Sequence, residues 1–174
     1  VYLAGLAVGA LFFTAMQKVT GATWSDSLRP IAATLPSTLP MATVLLLFVF
    51  LTHPETYSWA VEQHSGLRGV WLSRPFFIAR SCLYLGLWML SARLLTRPAV
   101  SSRDAAGVLV VLALTGWLAA SDWLMSLTPQ WTSTIFGVYV FVGFVVSAVA
   151  AMLLTCIWVR VRAPTCQAVS ESQL

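Results

Sequence analysis

An all-α, polytopic membrane bundle of five transmembrane helices is the fold this sequence predicts, and three observations predict it. The 174 residues are 59% apolar and only 9% charged, with a mean hydropathy of +0.83, whereas soluble domains carry about 45–50% apolar and about 25% charged residues. The apolar residues fall in long runs, separated by short segments rich in proline and arginine. Because about 20 apolar residues cross the roughly 30 Å hydrocarbon layer, a chain of this length holds roughly four to six spans. No separate soluble domain fits, so a single bundle over residues 1–160 and a polar tail over 161–174 are expected.

The first span covers about 1–17. It has no charged segment or cleavage signal before it, so it reads as a transmembrane helix and not as a signal peptide. Gly5 and Gly9 form a GxxxG pair, a spacing that allows close helix approach. Gln17 and Lys18 end the span, and 20–40 is a polar connection punctuated by Pro30, Pro36 and Pro40. Trp24-Ser25-Asp26 with Leu28, Ile31 and Leu35 suggests a short interfacial helix there, stopped by Pro36 and Pro40. The second span is expected over about 41–52.

A loop from His53 through His64 to Arg74 follows, and it puts both histidines at or outside the membrane boundary. Pro75 suits the first turn of span three, about 75–95. Arg80, Tyr84 and Trp88 recur in this span at intervals of four, which aligns a cation and two aromatics with polar handles on one face. After a basic loop, span four covers about 105–127, Pro129 turns the chain, and span five covers about 132–159. Thr132, Ser133 and Thr134 precede it as candidate caps or as hydroxyls of a water chain.

The charge pattern excludes some partners and sets an orientation. The net charge is +4 and the pI near 9.4. The ten basic residues are scattered among loops and never form a run, so no nucleic-acid partner is expected; the bilayer is the partner they address. Lys18, Arg29, Arg93, Arg97, Arg103, Arg160 and Arg162 fall on one side, Arg68 and Arg74 on the other. Seven against two predicts that the first side, with the C-terminus, is cytoplasmic. Cys82, Cys156 and Cys166 lack any CxxC spacing, and two fall in apolar runs, so the sequence suggests buried, inert thiols and neither a metal site nor a disulfide.

Apart from Arg93 at the very end of span three, two charges lie inside the predicted spans. Arg80 is about five residues in from the outer end of span three and Asp122 about five residues from that of span four, so both lie roughly 7–8 Å below one surface. Each alone is expensive in hydrocarbon, which predicts that they face the bundle interior as a pair. Two readings stand open: a proton-handling site at Asp122 with its charge state set by Arg80, or a structural ion pair that fixes how spans three and four pack. Trp123 and Tyr84 neighbour the pair and are candidates to border a quinone ring; His53 is a candidate proton-exit group or, with His64, a haem ligand. Trp24, Trp59, Trp71, Trp123 and Trp131 lie near span ends, where interface anchors are expected. There is no phosphate loop, no HExxH, no nucleophile elbow and no cysteine cluster for iron–sulfur, so this chain alone binds no redox centre of those kinds.

Asp122-Trp123-Leu124-Met125-Ser126-Leu127, Pro129, Trp131, Ser133 to Gly137 and Tyr139 resemble the DWxMSLxPxWxSTIFGxY signature of the F-type membrane subunit of alternative complex III. That subunit belongs to the broader polysulfide-reductase membrane-subunit class. Gly9 to Phe13 resembles the family's GALFF segment, Thr20 to Trp24 its TGAxW, and Pro75 to Arg80 its PFFxxR; His53, Tyr57 and Trp59 fall in the matching order. The resemblance covers Gly9 to Ala150, about half of the longer family subunit. It implies a subunit of a bacterial inner-membrane quinol:cytochrome c oxidoreductase that supports quinol oxidation or proton translocation. It further implies a homologous C-type subunit, iron–sulfur clusters and c-type haems in partner subunits, and a quinone as the membrane substrate. A purely structural scaffold subunit of that complex and half of a dimeric transporter are the competing readings.

Overall fold

A computed structural model describes residues 1–60, 66–97, 99–128 and 130–162. His64, Pro98, the Pro129 turn, Cys166 and the tail from 163 onward lie outside the described residues. Among the described residues seven α-helices follow one another: α1 (Tyr2–Thr20), α2 (Arg29–Thr34), α3 (Leu39–Thr52), α4 (Gly66–Trp71), α5 (Arg74–Leu95), α6 (Ser102–Trp123) and α7 (Phe136–Arg162). Five helical segments among the described residues, Tyr2–Thr20, Asp26–Thr52, Arg74–Leu95, Ser102–Leu127 and Phe136–Arg162, are long and apolar enough to cross a membrane. The chain is an all-α, multi-pass bundle; no strand occurs among the described residues.

The second span is longer than the sequence suggests. Pro30, Pro36 and Pro40 all sit at the first or second position of a helical turn, so they begin turns and do not end them. A proline there loses nothing, because the N–H it lacks has no partner within the helix anyway. The hydroxyls of Thr34, Ser37 and Thr38 donate to the carbonyls of Ile31, Thr34 and Leu35, which satisfies acceptors around the breaks. A nearly continuous helical path from Asp26 to Thr52 results, in place of a span confined to 41–52.

Two other boundaries move. The α-helix of span four ends at Trp123 and continues as a single 3-10 turn over Met125–Leu127, which puts Asp122 in the last α-helical turn. Span five begins at Phe136, not 132, so Thr132 and Thr134 lie in the connection; Ser133 meets the helix start through its backbone carbonyl, which accepts from the Phe136 N–H at 3.4 Å.

The central helix is α1, packed against α6 and α7 and touching α2, α3 and α5. Its small residues make this possible. A β-carbon on Gly5 would run into the Phe144 ring, and one on Gly9 into the Phe144 carbonyl and the Ala148 methyl, so the GxxxG pair seats α7 directly on the α1 backbone. Gly21, at φ 64°, closes α1 in the left-handed conformation that favours glycine. One large core runs from Ala7, Val8 and Leu11 of α1 through Leu46 and Phe50 of α3 to Tyr84 and Trp88 of α5 and Leu112 of α6.

The outward faces are equally apolar. Val44, Phe48 and Leu51 of α3 and Val138, Val146 and Leu154 of α7 are exposed, as suits helices surrounded by lipid. Cys82 lies on such a face of α5 and Cys156 is half-buried, which corrects the expectation that both thiols are buried.

Candidate functional site

The two buried charges meet. Arg80 donates from Nε to Asp122 Oδ2 at 3.0 Å and from Nη2 to Oδ1 at 2.9 Å, a two-pronged pair joining the first half of α5 to the last turn of α6. Each residue is only 7% exposed. The planar fork of a guanidinium matches both oxygens of a carboxylate, which makes this the strongest geometry such a pair can adopt. Tyr84, one turn further along α5, donates its hydroxyl to Asp122 Oδ2 at 2.9 Å. The carboxylate therefore accepts three hydrogen bonds, all from α5.

The remaining nitrogen of Arg80 reaches a different element. Nη1 donates to the Trp71 carbonyl at 2.8 Å, and that carbonyl belongs to the end of α4, where the helix itself supplies no N–H. The guanidinium carbon lies 4.1 Å from the centre of the Trp71 ring and 4.7 Å from that of Phe76, so aromatic faces flank the cation. Arg80 thus ties α4, α5 and α6 together.

The end of α6 is finished by two side chains. Ser126 donates its hydroxyl to the Asp122 carbonyl, and Tyr57, from the loop after α3, donates to the Trp123 carbonyl at 3.1 Å. Burial, with the Asp122 charge nearby, pushes the Tyr57 hydroxyl up to about 12, so it remains a protonated donor at neutral pH. Below the charged pair the seam between α5 and α6 continues as single hydrogen bonds. Trp123 Nε1 donates to Ser81 Oγ at 3.0 Å and Trp88 Nε1 to Thr115 Oγ1 at 2.8 Å.

Tyr84 and Trp123 do not present open ring faces. Both are buried, and the Trp123 ring is packed against Trp88, Phe50 and Tyr84 at centroid separations of 5.5, 5.8 and 6.3 Å. His53 stands apart from the cluster: its imidazole is exposed and its partner is Glu55, with Nδ1 2.9 Å from Oε1. The Glu55 backbone N–H, and then His53, hold that carboxyl below its ordinary 4.5. Among the described residues no three His, Cys, Asp or Glu side chains gather as metal ligands do.

The tryptophans divide into two groups. Trp24, Trp71 and Trp131 are exposed near span ends, as anchors are, whereas Trp59 and Trp123 are buried in an aromatic cluster with Tyr57 and Phe77 and are corrected from anchors to core. Tyr57, the Trp71 carbonyl, Ser81 and Ser126 are the participants that spacing does not reveal, because they reach the cluster from loops or through single polar atoms. Against known proteins, the chain matches no family model and no curated protein.

Proposed function

We propose that this chain is a scaffold subunit of a membrane quinol-oxidising electron-transfer complex of the alternative-complex-III type, and that the Arg80–Asp122–Tyr84 cluster is the anchor that holds its outer end in shape. One observation carries the scaffold role: the Asp122 carboxylate accepts from three donors of α5, beside buried aromatic rings. A carboxylate so held fixes the geometry of the two helices it joins. The identity of the complex rests on the signature around Asp122 to Tyr139. In this reading the iron–sulfur clusters and c-type haems belong to partner subunits, alongside a homologous C-type membrane subunit, in a bacterial inner membrane with the basic face and the C-terminus on the cytoplasmic side.

Purification of the complex from native membranes tests both halves. Iron–sulfur and multihaem subunits in the same particle support the assignment, and their absence overturns it. The apolar replacement Arg80→Met with Asp122→Leu tests the scaffold role, since removing both charges leaves neither unpaired. Restored assembly with quinol turnover and proton release intact is the expected result. Restored assembly with proton release lost would instead make Asp122 a proton-handling group.

A further inference from the structure

We propose that the groove between α5 and α6 at the basic face is a binding site for an anionic phospholipid of the bilayer, with the phosphodiester held between Arg97 and Arg103. The groove has a volume of about 410 Å³ and is lined at its mouth by these two arginines. Both are exposed, and neither has a salt-bridge partner among the described residues. Below them the walls turn apolar, with Leu87, Leu90 and Leu94 from α5 and Val108 and Val111 from α6. From Leu87 to Leu94 the wall extends roughly 10 Å along the helix axis. Charge at the mouth and hydrocarbon beneath it is the order in which a phospholipid presents its own parts.

The charge balance selects the class of headgroup. Asp104 also lines the mouth, but its Oδ2 accepts from Ser101 Oγ at 2.8 Å while its backbone N–H donates to the same hydroxyl at 3.1 Å, which commits it to capping the start of α6. Two guanidiniums and one carboxylate leave the mouth with one positive charge. A phosphodiester monoanion such as phosphatidylglycerol balances it; a zwitterionic choline head does not. Gly107 lines the groove too, and a β-carbon there would meet nothing within 4 Å, so the site has room for a larger side chain. The same side of the bundle carries the majority of the basic residues, and Ser102 lies beside the end of α1, its hydroxyl 3.5 Å from the Lys18 carbonyl.

The test is lipid retention by the protein purified with whatever subunits accompany it, held in nanodiscs of mixed phosphatidylglycerol and phosphatidylcholine and read by native mass spectrometry. Phosphatidylglycerol is expected to be retained preferentially, and retention to fall in Arg97→Gln/Arg103→Gln by roughly tenfold or more, as two cations near an anionic surface imply. Gly107→Leu leaves both cations in place, favours the helix and fills the groove, and it is expected to lower retention as well. Equal retention of the two lipids overturns the proposal, as does unchanged phosphatidylglycerol in both variants. Displacement by inorganic phosphate at matched concentration overturns the lipid as occupant, because a site that uses the apolar wall discriminates against a bare anion.

Discussion

Where α1 meets α7, Gly5 and Gly9 bring the two backbones together against Phe144 and Ala148. Where α5 meets α6, Arg80, Tyr84, Ser81 and Trp88 form hydrogen bonds with Asp122, Trp123 and Thr115. Lipid tails are as apolar as a leucine, so burying apolar surface does not by itself draw helices together in a bilayer. Close packing of small residues and hydrogen bonds between polar side chains are the two remaining sources of attraction, and this bundle uses one at each seam. The first seam depends on shape and tolerates no added volume. The second depends on complementary charge and tolerates no missing partner.

The largest break in this contrast comes from Asp122→Ala, which leaves Arg80 buried without its counter-ion. Loss of one partner from a buried pair costs about 3–5 kcal/mol, so the variant is expected to fail to accumulate or to unfold far below the parent in a detergent thermal-shift assay. A variant that unfolds with the parent would mean the pair contributes nothing to the fold. At the other seam, Gly9→Leu drives a side chain into the Phe144 backbone and separates α1 from α7. Overpacking of this kind costs about 1–3 kcal/mol, and the same assay, together with protease sensitivity of the α6–α7 connection, measures it.

Tyr84→Phe sharpens the comparison by removing one donor from Asp122 while leaving the ion pair in place. A hydrogen bond to a charged group contributes about 1.5–3 kcal/mol, so its effect is expected to fall below that of Asp122→Ala. An effect as large as that of Asp122→Ala would mean the tyrosine, not the arginine, governs the seam. The smallest effect belongs to the exposed Glu55–His53 pair, which lies on neither seam. The folded state holds the Glu55 carboxyl below its ordinary 4.5. Its stabilisation is therefore present above that value and lost as the pH falls through the lowered one. Screening keeps it slight; Glu55→Gln is expected to leave melting at neutral pH almost unchanged, and a large shift in melting would contradict this placement outside the seams.

Residues separated by regular spacing were the readable part of the site. Arg80, Tyr84 and Trp88 share a face because helical residues four apart always do, and Asp122 had to find a cation because an isolated carboxylate is too costly in hydrocarbon. Tyr57 and Trp71 were not readable as partners of this cluster, since Tyr57 lies in the loop after α3 and Trp71 ends the short helix α4, and no periodicity relates either to α5 or α6. Pro36 and Pro40 misled for a local reason: a proline begins a helical turn as readily as it ends one, and only the hydroxyl groups of Thr34, Ser37 and Thr38 in place reveal which occurs.

By itself the sequence determined that the chain is a multi-pass helical membrane protein, because apolar run length is a direct physical consequence of bilayer thickness. It also placed Arg80 and Asp122 at a similar depth in α5 and α6, where they could pair. Tertiary structure alone decided which apolar faces are core and which meet lipid. In a soluble helix the polar face marks the outside, whereas here both faces are apolar, and the pattern that would distinguish Cys82 from Leu85, or Trp59 from Trp24, is missing. Only the packing of α1 at the centre, permitted by two glycines, gives each remaining helix an inside and an outside.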